Sequence, residues 1–180
     1  IFDDCDLEAT LDKVVCQKFR NVGQVCISPT RFYVQQGIYD AFVKGFAERT
    51  AKVKIGSGLD ADTQMGPLAN ARRIPALEAL VADAKAKGAR VIAGGEATGD
   101  GYFFQPTAIA DVPIDAAAMN NEPFGPMALI RPFGTEDEAL EQANRLPYGL
   151  AAFAFTENGA YQSTPFGSVP VGPPSSVSGT

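Results

Sequence analysis

Helical and strand-like periods alternate along this chain, and that alternation restricts its fold more than any other feature. Leu7, Leu11, Val14, Val15, Phe19 and Val22 fall at helical spacing behind Asp3, Asp4, Asp6 and Glu8, acidic residues that a helix N-terminus favours, so a helix is expected over about 7–20. Thr30-Arg31-Phe32-Tyr33-Val34 is short, aromatic and β-branched, which reads as a strand. Ile38, Phe42, Phe46, Arg49 and Val53 restore the helical period up to the turn Gly56-Ser57-Gly58. Leu77, Leu80, Val81 and Ala84 mark a third helix, with Gly88 placed to cap it. Strands are expected at about 90–93, 103–110 and 127–131, and a last one over the run 150–155. Between these, Thr135 and Glu138 form a T-x-x-E capping box for a fourth helix carrying Leu140 and Ala143. Such a sequence of elements predicts an α/β fold, a three-layer domain with a mainly parallel sheet flanked by helices.

The chemistry is bounded by what is missing. The 180 residues contain no His, which removes His-ligated metal sites and every Ser-His or Cys-His couple; no metal site is expected. With 15 Lys and Arg against 21 Asp and Glu, the net charge of −6 leaves no general basic field for a nucleic acid partner. No stretch approaches the ~20 apolar residues of a membrane span, and Ile1-Phe2-Asp3-Asp4 lacks the order of a signal peptide, so a soluble, cytoplasmic protein is expected. Cys5, Cys16 and Cys26 are odd in number and form no C-x-x-C pair, so neither a disulfide framework nor a zinc knuckle is indicated.

Two glycine-rich stretches invite a phosphate-binding reading. Gly56-Ser57-Gly58-Leu59-Asp60-Ala61 fits G-x-G-x-x-G/A, but it follows a helix instead of a strand and runs into Asp60, Asp62 and Gly66-Pro67, so it reads as a turn. Residues 94–101 read as a hairpin or surface loop.

Two other segments are more informative. In Asn21-Val22-Gly23-Gln24-Val25-Cys26-Ile27-Ser28-Pro29, a Gly-Gln turn after a helix puts the Cys26 thiol on an irregular connection that a substrate could reach. A free thiol has a pKa of about 8.5 and needs amides, a cofactor charge or an acid nearby to act as a thiolate; the competing reading is a small buried hydrophobe. Cys5 and Cys16 are assigned the latter role. In Asn120-Asn121-Glu122-Pro123-Phe124-Gly125-Pro126, prolines hold a carboxylate and an aromatic rigidly. Glu122 could accept two hydrogen bonds from a diol and Phe124 could offer a ring face; alternatively the Phe packs into the core and the Glu is solvated.

Taken together, the segments resemble the aldehyde dehydrogenase superfamily. Gly23-Gln24-Val25-Cys26 is similar to its nucleophile motif and Glu122-Pro123-Phe124-Gly125-Pro126 to its E-x-F-G-P motif. Gly66-Pro67, Gly101-Tyr102-Phe103-Phe104-Gln105-Pro106-Thr107 and Tyr148-Gly149-Leu150 add matches in order, so that the resemblance covers about residues 1–160. The resemblance implies that Cys26 attacks an aldehyde to form a thiohemiacetal whose oxyanion is held partly by the Cys26 N–H. Hydride passes to NAD or NADP, and water hydrolyses the thioester left behind. Glu122 is implied as a holder of ribose hydroxyls, and Phe124 as a wall beside the nicotinamide half. Val25 and Ile27 are implied as lining of the substrate tunnel, with Phe166 a further substrate-site match. The S-P-T-R-F-Y-V continuation resembles bacterial semialdehyde dehydrogenases and points to succinate semialdehyde. A homo-oligomer is implied for the full-length enzyme.

The departures from the family pattern are also specific. The E-L-G-G motif that carries the general base, the nucleotide-binding domain and the upstream Asn of the oxyanion site are all missing from these residues, so the isolated chain is expected to be inactive. The alternative reading is a non-catalytic folded fragment. Residues 161–180 are expected to form an irregular or flexible tail: from Pro165 onward 11 of 16 residues are Pro, Gly or Ser, and Pro165-Phe166-Gly167-Ser168 arrives too early for the family's P-F-G-G segment.

Overall fold

Asp6 starts the first helix by accepting the Ala9 N–H on its side chain at 3.0 Å, as the acidic N-terminal cluster predicts. In this computed structural model, which describes residues 1–158, helix α1 runs over Leu7–Phe19. Its buried stripe of Leu11, Val14, Val15, Lys18 and Phe19 faces helix α2 (Tyr39–Thr50), where Phe19 meets Phe46 with ring centroids 6.3 Å apart. Strand β1 (Arg31–Gln35) lies between them in the sequence. Helix α2 ends earlier than the spacing predicts: Val53 donates to Thr50 O at 3.2 Å in a tighter turn outside the helix. Arg49, in its last turn, reaches Glu8 and Asp12 of α1 at 2.7 Å each.

Helix α3 (Arg73–Ala86) stops as foreseen at Gly88, whose φ of +93° suits glycine. Gly88 N–H bonds Lys85 O and Ala89 N–H bonds Ala84 O, both at 3.0 Å, the paired bonds of a Schellman cap. Strand β2 (Arg90–Ala93) follows, then β3 (Thr107–Ala110), helix α4 (Ala117–Asn120), β4 (Met127–Phe133) and α5 (Glu136–Asn144). The cap at the start of α5 is present, with Thr135 Oγ1 accepting from Glu138 N–H, but the return bond of the box is shifted by one residue: Glu138 Oε2 accepts from Gly134 N–H at 2.8 Å, not from Thr135 N–H.

The four strands among the described residues are ordered β1-β4-β3-β2, with β1 and β3 parallel to β4 and β2 antiparallel to β3. Side chains alternate across β1. Phe32 points to Phe42 and Phe46 of α2, whereas Tyr33 points the other way and donates its hydroxyl to Gln142 O of α5 at 3.1 Å. Phe133 joins that second face, packed with Phe2 and Ala139. Helices therefore cover both faces of the mainly parallel sheet, giving the three layers expected.

Four details differ from the sequence reading. The strand expected over 103–110 begins only at Thr107, because 103–105 are used in the hairpin of residues 94–105, where Thr98 N–H bonds Phe103 O and Gln105 N–H bonds Glu96 O. The run 150–155 is not a strand; Phe155 O accepts from Phe2 N–H, but no ladder with regular bonds develops along it. Cys16 is exposed on the outer side of α1, not buried, and Cys5 is half-buried. Helix α4, a single turn, had no periodic signal at all. The tail at 161–180 and Phe166 lie outside the described residues.

Candidate active site

The end of α1 sets the geometry of Cys26. After Phe19 the chain makes one short turn over Arg20–Gly23, in which Asn21, Val22 and Gly23 take φ of 50°, 54° and 70°. Left-handed backbone at a β-branched residue is strained, and Val22 holds it while buried. Asn21 stabilises the turn through its side-chain amide, which donates to Gln24 O at 3.0 Å. A second turn follows at once, closed by Ser28 N–H on Val25 O at 2.9 Å, with Cys26 and Ile27 at its middle. The thiol is exposed, and the Cys26 N–H has no acceptor among the described residues, as expected for the first middle position of such a turn. Pro29 and Thr30 then lead into β1.

The Glu122 segment enters the sheet the same way, through β4, the parallel neighbour of β1. Because the strands run parallel, the loops before them lie at one end of the sheet, and Cys26 and Glu122, 96 positions apart, come to line the same cleft. The contact between the loops is backbone on backbone: a Cβ on Gly23 would stand 2.2 Å from the Gly125 carbonyl oxygen. Gly125 in turn sits against the Leu77 side chain of α3, where a Cβ would be at 2.9 Å. Two further ties run from the stretch before and at the start of α3. Ala69 N–H donates to Gln24 Oε1 at 2.9 Å, and Arg73 donates to the Pro123 carbonyl. In this loop, pinned on both sides, Phe124 takes a φ of +41° and is 38% exposed.

Glu122 is exposed, and its carboxylate has no partner among the described residues. The main chain before it is clasped by three side chains. Arg31 donates to Met119 O at 2.9 Å and Asn121 O at 3.0 Å. Arg145 bonds Asn120 Oδ1 at 2.6 Å and Met119 O at 2.5 Å, and Tyr148 donates to Asn120 O at 2.8 Å while lying under the Arg31 guanidinium. Cys26, Ile27 and Glu122 line one cleft of about 720 Å³, together with Arg31, Tyr148 and Phe153. Val25 and Phe124 lie beside it without lining it.

Sequence reasoning missed Arg31, Arg73 and Arg145, whose role is to hold main chain, a function that residue type alone does not reveal. Lys18 was also missed, although it carried a signal: it stands in the apolar stripe of α1, one repeat beyond Leu11 and Val14. It is 1% exposed, donates from Nζ to Ser28 Oγ at 3.2 Å, and burial pushes its amine down to about 7. Among the described residues no group of three or more His, Cys, Asp or Glu could hold a metal, and no helix is long and apolar enough to cross a membrane. The 56–61 stretch forms turns, with Asp60 N–H on Ser57 O at 3.0 Å and no helix following, which is not phosphate-binding geometry.

The sequence pattern of the aldehyde dehydrogenase family matches residues 1–167, and the chain belongs to that family. It is 48% identical over 155 residues to a putative 4-(hydroxymethyl)benzenesulfonate dehydrogenase of Comamonas testosteroni, covering 86% of this chain and 32% of that protein. It is 41% identical over 160 residues to a succinate semialdehyde dehydrogenase of Acinetobacter baylyi, covering 88% and 33%. Among solved structures, an NADP-dependent enzyme of Escherichia coli superposes with a TM-score of 0.89 at 38% identity, over 95% of this chain and 36% of that one. A betaine aldehyde dehydrogenase variant of Staphylococcus aureus, crystallised with NAD+ and a BME-modified cysteine, gives 0.85 at 36% identity, over 88% and 33%. The chain spans about a third of the length of the relatives it matches.

Proposed function

We propose that this chain carries the nucleophile and part of the cofactor-facing wall of an NAD- or NADP-dependent aldehyde dehydrogenase, with Cys26 as the nucleophile. The observation that carries the reading is the exposed thiol on a tight turn, sharing one cleft with an unpartnered Glu122. The Cys26 sulfur adds to the aldehyde carbonyl, and the carbonyl oxygen becomes the oxyanion of a thiohemiacetal. The free Cys26 N–H is available to it, and a donor already fixed in the turn costs no reorganisation as charge develops. Loss of hydride from the former aldehyde carbon leaves a thioester on Cys26; water then releases the acid and restores the thiol.

The residues present fit a nicotinamide dinucleotide. Glu122 has its carboxylate free for two hydroxyls of a ribose, and the partly exposed Phe124 has ring surface to offer on a loop whose Gly125 abuts Gly23 and Leu77 of α3. When bound, the cofactor supplies the hydride acceptor. Ile27 lines the cleft with Cys26 and is assigned to the substrate side, while Val25 and Phe166 belong to the substrate assignment by family pattern alone. The likeness to succinate semialdehyde dehydrogenases supports a short aldehyde carrying a carboxylate as substrate.

The second reading is a folded unit without turnover. Thiol chemistry separates the two. A short iodoacetamide pulse followed by peptide mapping should label Cys26 faster than Cys16, although both are exposed, and succinate semialdehyde should slow labelling of Cys26 alone. Equal labelling of the two, unaffected by aldehyde, would overturn the nucleophile assignment. NADH or NADPH formation in a separate assay, with the same aldehyde and added NAD or NADP but no iodoacetamide, reports whether the later steps also run.

A further inference from the structure

Three consecutive left-handed residues stand just ahead of the thiol. Asn21, Val22 and Gly23 have φ of 50°, 54° and 70°, and only the last of them is a glycine. Such backbone is unfavourable at the other two and persists only where the surroundings leave no alternative. Local bonds do not supply that constraint. Gln24 N–H bonds Asn21 O and Asn21 Nδ2 bonds Gln24 O, each at 3.0 Å, which closes the bend on itself but leaves it able to move as a unit.

Its place is fixed from outside by three contacts. Val22 is buried in the core, Gly23 abuts the Gly125 carbonyl, and Gln24 Oε1 accepts the N–H of Ala69, 45 residues further along the chain, at 2.9 Å. Of these, the Gln24 bond is the one made by a polar side chain. Ala69 is a firm anchor for it: the preceding Leu68 is buried, with its N–H on Tyr102 O at 2.8 Å. Four residues after Ala69, Arg73 donates to the Pro123 carbonyl. One short stretch, residues 68–73, therefore grips both loops of the cleft, the nucleophile bend through Gln24 and the loop of Glu122 and Phe124 through Arg73.

Gln24 stands two residues before Cys26. Val25, between them, supplies the carbonyl on which the Cys26 turn closes, with Ser28 N–H at 2.9 Å. A displacement of Gln24 thus passes through two peptide units to the Cys26 N–H and sulfur. Gln24 does not itself line the cleft, so it acts through the chain and not on a substrate.

We propose that Gln24 is a positioning residue for the nucleophile: its side-chain amide ties the bend ahead of Cys26 to residues 68–73 and so sets where the thiol and its N–H receive an aldehyde. This rests on the reading of Cys26 as the nucleophile. Gln24 forms no covalent bond and moves no proton.

The test uses the full 180-residue chain, iodoacetamide and succinate semialdehyde. The quantity read is the aldehyde concentration that halves labelling of Cys26, with Cys16 as the internal control. Gln24→Met keeps the length of the side chain and removes the acceptor. It should raise that concentration by about three- to tenfold, the worth of one hydrogen bond, and speed hydrogen exchange at the Ala69 amide. Should Gln24→Met not fold, Gln24→Asn, one methylene short of Ala69, should show the same rise. A lower urea midpoint with an unchanged half-labelling concentration in these variants would make the tie structural only and overturn the role of Gln24, leaving the nucleophile intact. Wild-type labelling of Cys26 that aldehyde does not slow would instead overturn the nucleophile reading, and this role with it.

Discussion

Gly23 and Gly125 meet main chain to main chain, with room for no side chain: a Cβ on Gly23 would lie 2.2 Å from the Gly125 carbonyl oxygen. This contact joins the turn before Cys26 to the loop that carries Glu122 and Phe124. Gly23 also has a φ of +70°, so alanine there meets both a clash and an unfavourable backbone. Gly23→Ala should lower unfolding free energy by about 3 kcal/mol or more, read as a fall in the urea midpoint at constant slope.

Phe46 is fully buried and touches the rings of Phe19, Phe32 and Phe42, tying α1, α2 and β1 together. Phe46→Ala should cost about 3–5 kcal/mol, because the transfer free energy of the ring and the cavity it leaves add. Thermal unfolding by calorimetry gives the measurement.

Cys26→Ala removes an exposed, unbonded thiol, so stability should stay within about 0.5 kcal/mol of wild type. The same variant should lose the aldehyde-sensitive labelling entirely. A large drop in stability would show that the thiol is a packing element after all.

The pH dependence of stability has a definite sign. Burial lowers Lys18 from 10.5 to about 7, so between those values the unfolded chain binds the extra proton and stability rises with pH; the penalty is fully present below 7. From pH 8 to 9 the gain should come mainly from Lys18, on the order of 1 kcal/mol, and Lys18→Met should abolish it. Urea titrations of both proteins at the two pH values decide the point.

Arg31 grips Met119 O and Asn121 O with a planar fork that lysine cannot reproduce. Arg31→Lys should free the main chain before Glu122, with hydrogen exchange at the Asn121 amide, now bonded to Ala117 O at 2.9 Å, faster by on the order of tenfold. Unchanged protection would assign that order to Arg145 and Tyr148 instead.

Much of this architecture was legible because local signals and packing agree. Asp6, Gly88 and Thr135 mark helix ends by hydrogen-bonding rules that act within four or five residues, and the apolar periods of α1 and α2 match the faces they bury. Run 150–155 misled because a β-rich composition does not supply a partner, and strands exist only as pairs. Position 107 rather than 103 opens β3 because the hairpin uses the preceding residues, a competition invisible in propensities. At the site, the exposed places of Cys26 and Glu122 could be read from turn residues flanking them. The clasp of Arg31, Arg145 and Tyr148 could not, since its acceptors are carbonyl groups, which every residue possesses.

The alignment of β1 with β4, Arg31 opposite Leu129 and Phe32 opposite Ile130, makes the spacing of the two motifs a matter of strand registry. A slip of one residue would exchange Phe32 with Tyr33 between the helical layers, exposing the wrong side chains to each, and is forbidden by packing. A slip of two would keep each side chain on its proper face yet slide the thiol along the carboxylate by about 6.6 Å, at 3.3 Å per residue. Core hydrophobicity tolerates that second error; the Gly23–Gly125 abutment does not. The two glycines therefore act as a vernier stop, selecting among alignments that inward and outward facing alone would not distinguish.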